Sequence, residues 1–181
     1  IISSIKQYEH ETNFVADLLR DGSESMNYRS GNLSKLDYGK MIAACLAYVI
    51  LHQRDAVALG IFDEKIQEYL PRSDNRDNLF KIMNRLAGFA PTRETKTASV
   101  LHGMANQIRR KGIVILISDF FDDEEEIIEG IQHLRFSGHE VIVMQVLDPY
   151  EIDFPFTGMV EFDGCPVYTF PSPRDQRGSR M

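Results

Sequence analysis

Five oxygen-bearing residues carry most of the chemical information in this chain: Asp21, Ser23 and Ser25 in RDGSESM, Thr95 in TRETKT, and Asp119 at the end of GIVILISDF. They offer two carboxylates and three hydroxyls, with no thiolate and no imidazole. Such a set of hard donors favours Mg²⁺ or Mn²⁺ over zinc or copper. Serines and acids that follow a strand are ordinarily turn and capping residues. The placement of Thr95 and Asp119 is what turns the reading toward a metal, because each stands where an element should deliver it to the same edge.

The elements that must do this are legible as changes of period. FVADLL, residues 14–19, reads as a strand, with Asp17 and Arg20 awkward for one buried on both faces. In SKLDYGKMIAACLAYVILHQRD, Ser34 and Asp37 form a capping-box start. Tyr38, Met41, Ile42, Cys45, Leu46 and Val49 then recur at helical spacing and predict a well-buried helix. Val57, Leu59 and Ile61 alternate, DEK supplies a turn, and Ile66 to Leu70 return as an edge strand. Leu79, Ile82, Met83 and Leu86 mark another helix ending at Gly88, with Phe80, Met83 and Met41 expected in the core. TASVLHGMANQIRRKG predicts a helix with basic residues in its last turn.

IVILIS is a continuous, mostly β-branched apolar run of the kind central parallel strands show, and it leads into Asp119. A helix with an acid-loaded first turn follows, stopping at Gly138, and then the strand HEVIVMQVLD. The C-terminal stretch from DPYEIDF onward predicts a short strand or two and a tail. Strands alternating with helices predict an α/β fold: a Rossmann-like, doubly wound, mostly parallel sheet with one antiparallel edge strand. In such sheets ligands bind outside the carboxyl ends of the strands, where strand order reverses.

Asp-x-Ser-x-Ser followed by a distant Thr and a distant Asp resembles the metal-ion-dependent adhesion site of von Willebrand factor A-like domains. The blocks IKQYEHETN, DGSESM, SKLDY, QRDAVALGIFD, ETKTASVLH, RRKGIVILISDFFDD and GHEVIVMQVLDPYEIDFPF narrow this. They resemble the signature of the bacterial domain-of-unknown-function 58 subgroup, in the expected order from about residue 5 to about residue 157. The resemblance implies that Ser23 and Ser25 ligate a metal directly. It implies that Asp21 and Asp119 act through water or as close acceptors, and that Thr95 switches between direct and water-mediated contact. An ion held mainly by neutral hydroxyls keeps much of its positive field, so an open position attracts a carboxylate from a partner. Family context adds a MoxR-type AAA+ ATPase as partner, in assembly or maturation of other proteins. Arg20 departs from the pattern, standing where an apolar residue is usual, and could pair with a nearby acid or disturb the first strand.

Whole-chain properties bound these readings. The 181 residues suit one domain, expected over 1–181, with 1–12 a lead-in and about 158–181 outside the recognised blocks. A formal net charge of −7 argues against nucleic acid and anionic membrane as partners. Cys45 and Cys165 form neither a disulfide framework nor a zinc spacing and fit a reducing cytoplasm. No apolar run reaches membrane-spanning length. The chain begins without Met, so it is expected to be part of something longer, with an anchor elsewhere left open.

Asp122 to Glu126 read as a solvated first helical turn, and His52, His102, His133 and His139 as structural. The expectation is a noncatalytic interaction module. The alternatives are a Mg²⁺-dependent phosphoester hydrolase, for which Arg20 and Arg93 are the local phosphate clamps, and a structural domain with a vestigial site.

Overall fold

The computed structural model of the chain describes residues 15–91, 97–108 and 110–155. At its centre lies β1 (Val15–Asp21), flanked by β2 (Ala56–Phe62) and β4 (Ile113–Ser118), both parallel to it. β5 (Glu140–Gln145) extends the sheet beyond β4 in parallel, and β3 (Ile66–Ser73) pairs antiparallel with β2 at the other edge. The order is β3-β2-β1-β4-β5. The chain thus builds outward from β1 in one direction and then returns to β1's other side. That reversal puts the switch point, and its ligand crevice, between the carboxyl ends of β1 and β4.

Helices cover both faces. Ala16 and Leu18 of β1 pack in one cluster with Ala43, Ala47, Ile50 and Leu51 of α1 (Lys35–His52) and with Ile82 and Leu86 of α2 (Asn78–Gly88). Leu19 points the other way, into a cluster with Val100, Leu101 and Met104 of α3 (Thr97–Gln107) and Leu134 of α4 (Glu124–Phe136). The period-2 alternation along one strand thereby splits the interior into two cores. α4 begins at Asp123, whose side chain accepts from the Glu126 amide, and stops at Gly138, whose φ of +89° suits glycine. The acid run is therefore capping and solvated first-turn chemistry, as expected.

Three expectations need correction. α1 is oriented differently: Tyr38, Met41, Cys45 and Val49 are exposed, and the buried stripe is Leu36, Gly39, Ala43, Ala47, Ile50 and Leu51. The reason is close approach, since a Cβ on Gly39 would lie 3.6 Å from Ile117 Cγ2 of β4. Small residues face the sheet and bulky ones turn outward. Phe80 and Met83 of α2, at 70% and 48% exposure, likewise lie outside the core. α3 ends at Gln107, so no basic residue stands in its last turn. After β5, residues Pro149–Asp153 form a short helix, α5, started by a capping box between Asp148 and Glu151, and the rest of the stretch in which a strand or two was expected lies outside the described residues.

Candidate metal and ligand site

The site is built at the carboxyl ends of β1 and β4. Arg20 pairs with Ile117 in register, so the next residues, Asp21 and Ser118, stand side by side. Ser118 Oγ donates to Asp21 Oδ2 at 2.5 Å, and the Ser23 amide donates to Asp21 Oδ1 at 2.8 Å. Asp21 thus folds the start of the loop back onto its own strand. A 3-10 turn over Glu24–Asn27 follows, pinned by Met26, which is buried in the core under α1. The result places Ser23 Oγ 3.0 Å from Ser25 Oγ, Ser23 buried and Ser25 half-buried. Gly22 permits this geometry: a Cβ there would lie 2.4 Å from Cε1 of Phe89.

Asp21 is the electrostatic focus. Burial pushes its carboxyl up to about 6, against the pull of the Ser118 and Ser23 hydrogen bonds, and the neighbouring Asp119 charge adds to the rise. It forms no salt bridge among the described residues. A buried carboxylate with hydroxyl oxygens beside it and no salt-bridge partner among the described residues fits a divalent ion. Asp21, Ser23 and Ser25 are the residues that would hold one. Thr95, expected to join them, lies outside the described residues. The helix it was expected to open starts at Thr97, whose amide donates to Asp122 Oδ2 at 2.8 Å.

Asp119 has a different partner. Lys35 Nζ, at the first turn of α1, lies 2.8 Å from Asp119 Oδ2 and 2.7 Å from Glu151 Oε1 of α5. Burial alone would lower the Lys35 pKa, yet the attraction and hydrogen bonds of Asp119 and Glu151 overcome it and leave the ammonium more firmly protonated than usual. Reading from sequence missed Lys35, Ser118 and Glu151. Lys35 did carry a signal, because a cation in a helix's first turn opposes the helix dipole.

Among the described residues Arg20 forms no salt bridge, although the Asp21 charge attracts it, and it does not break β1. It is fully buried on the α1 side, its guanidinium 5.1 Å from the centroid of Phe89, with no hydrogen-bond partner among the described residues. Burial lowers its pKa to about 10, opposed by Asp21. Asp17, the other awkward residue of β1, is paired by Arg72 of β3, whose Nε lies 3.0 Å from Asp17 Oδ1. Of the histidines, His102 and His133 share a contact of 2.9 Å between their Nδ1 atoms, linking α3 to α4 away from the strand ends.

A mostly parallel, doubly wound sheet with an antiparallel edge strand, and an acid-hydroxyl loop at its switch point, make this a Rossmann-like α/β domain with a candidate ligand site at the carboxyl ends of its central strands. The chain belongs to the family described as protein of unknown function DUF58, whose model matches residues 2–166. Among solved structures it is similar to an aerotolerance-related membrane protein from Bacteroides fragilis. That match has 18% identity and a TM-score of 0.62, covering 88% of this chain and 77% of that one. It is also similar to the conserved hypothetical protein BatB from Bacteroides thetaiotaomicron, at 19% identity and a TM-score of 0.58, over 73% of this chain and 66% of that one. The D319A mutant of the PilB minor pilin from Streptococcus sanguinis matches at 13% identity and a TM-score of 0.52, over 81% and 54%. These likenesses concern the fold. No curated protein matches the chain. Among the described residues no helix is long and apolar enough to cross a membrane.

Proposed function

We propose that this domain is a noncatalytic interaction module that holds Mg²⁺ or Mn²⁺ through Asp21, Ser23 and Ser25, with Thr95 and Asp119 completing the set, and engages an acidic side chain of a partner protein. The observation that carries the reading is Asp21: a buried carboxylate, raised to about 6, beside two hydroxyls 3.0 Å apart and lacking a salt bridge among the described residues. A bound divalent ion would supply the missing positive charge and an open position for a carboxylate. The family resemblance supports a MoxR-type AAA+ ATPase as the partner, acting in protein assembly or maturation. It supports an intracellular setting too, with any membrane anchor outside this segment. The hydrolase alternative gains nothing from Arg20, whose guanidinium is fully buried against Phe89 and so is not available to clamp a phosphate from solvent.

Calorimetric titration of the purified domain with Mg²⁺ and Mn²⁺ tests the reading. Wild type should bind, and Ser23→Ala and Asp21→Asn should each weaken binding tenfold or more while remaining folded by circular dichroism. Binding that both variants retain at full strength would place the ion elsewhere and sink the proposal.

A further inference from the structure

Two carboxylates meet the Lys35 ammonium, and they differ in kind. Asp119 is buried and fixed directly after β4, its other oxygen accepting from the Phe121 amide at 3.2 Å. Glu151 has a side chain 32% exposed and comes from α5, a five-residue surface helix with no buried residue. A helix so short has little stability of its own. Polar contacts hold it instead. Asp148 accepts from the Tyr150 amide at 2.9 Å and from the Ser30 amide at 2.8 Å; Glu151 Oε2 accepts from the Asp148 amide at 2.8 Å, while its Oε1 faces Lys35.

Of the acids near this point, Asp119 and Glu151 touch Lys35 directly, and Asp148 is close enough to act on it. Asp148 is buried and held by backbone amides, and Asp119 is buried at the end of β4. Glu151 is the carboxylate at Lys35 that is partly exposed and carried by a surface helix.

We propose that Lys35 is a carboxylate-binding group of this face and that Glu151 is its internal occupant, so that the acidic side chain of a partner binds by exchanging with Glu151 and releasing α5. This rests on the acidic-ligand reading above. The exchange is like for like in charge, so the partner gains no new ion pair at Lys35. It competes instead with a ligand whose effective concentration, set by a short tether, is on the order of millimolar. The domain is therefore held in a state that refuses isolated carboxylates and yields only to a partner with further contacts.

The test uses a fluorescein-labelled, C-terminally amidated peptide, Gly-Gly-Glu-Gly-Gly, read by fluorescence polarisation in the presence of Mg²⁺, with the Gln version of the peptide as control. Glu151→Gln is the informative variant. Gln keeps an acceptor for the Asp148 amide, and so the capping box, while removing the charge that pairs Lys35. It should bind the Glu peptide at least tenfold more tightly than wild type, and Lys35→Met should abolish the gain. Hydrogen exchange of the amides from Tyr150 to Phe154 should accelerate at least tenfold in Glu151→Gln, a readout that holds even if Lys35→Met does not fold. Equal peptide affinity in wild type and Glu151→Gln, or unchanged α5 protection, overturns the exchange but leaves the acidic-ligand reading standing. No binding of the Glu peptide to either protein, with Mg²⁺ shown bound by calorimetry, overturns both.

Discussion

Asp21 links the chemistry of the site to the stability of the fold through one proton. Its carboxyl stands at about 6 in the folded chain against 3.8 as its ordinary value, chiefly because it is buried. Between those values the folded state holds a proton that the unfolded state has lost. Stability therefore falls as pH rises from about 4 to about 6 and levels off above, the reverse of a salt-bridged acid. A gap of two pH units corresponds to about 3 kcal/mol at most, since about 1.4 kcal/mol accompanies each unit. Asp21→Asn removes the ionisation while keeping a group of the same shape beside Ser118. Urea unfolding in the absence of divalent ions should show the variant gaining on wild type as pH rises from 4.5 to 6.5, with the difference constant beyond. A difference that does not vary with pH would mean that Asp21 is not a buried acid. With Mg²⁺ present the same linkage runs the other way: the ion requires the carboxylate, so its affinity should rise about tenfold per pH unit up to about 6.

At the scale of elements, α1 shows how a helix can be right in existence and wrong in orientation. Its start was legible because Ser34 and Asp37 carry a local device, and the capping box is present, with Ser34 Oγ accepting from the Asp37 amide at 3.0 Å. Ser34→Ala should lower stability by about 1 kcal/mol in urea unfolding. A loss within error would show that the sheet contacts of Leu36 and Ala43 hold the first turn without it. The facing of α1 was not legible, because the helix is apolar nearly all round and helical spacing selects two stripes equally well. Tyr38, Met41 and Val49 make the bulkier stripe, but the sheet accepts the stripe of Gly39, Ala43 and Ala47, where side-chain volume does not hold the backbones apart. β4 and the β2-β3 hairpin were legible since one carries an unbroken apolar, mostly β-branched run and the other an alternation of Val57, Leu59 and Ile61 before turn residues. α5 was missed because five residues give no period to read, and its fixation comes from Ser30 and Lys35, more than a hundred positions away. The same limit applies to the site. Asp21, Ser23 and Ser25 announce themselves by local spacing, whereas Ser118, Lys35 and Glu151 matter only through contacts that the fold creates.

In the whole molecule the site sits where the sheet's two directions of growth meet, so a ligand there ties β1 to β4 rather than decorating an edge. Both strands are almost entirely buried, with Leu18 and Leu116 at 0% and 1% exposure, whereas Ile142 and Val143 of β5 are nearly half exposed. Amides in such central strands exchange with solvent mainly when the domain unfolds as a unit, and those at an edge through smaller openings. An ion that binds only the folded domain adds about 2.7 kcal/mol at a hundred times its Kd, a factor of about a hundred in the unfolding equilibrium. Mg²⁺ at that concentration should therefore slow exchange at Leu18 and Leu116 about a hundredfold and leave Ile142 and Val143 nearly unchanged. In Ser23→Ala, whose binding is at least tenfold weaker, the central amides should slow by no more than about tenfold. Uniform slowing across β4 and β5 would instead mean that the edge opens only with global unfolding. Slowing confined to the Gly22–Asn27 loop would mean that the ion orders its own turn without coupling the two halves of the sheet.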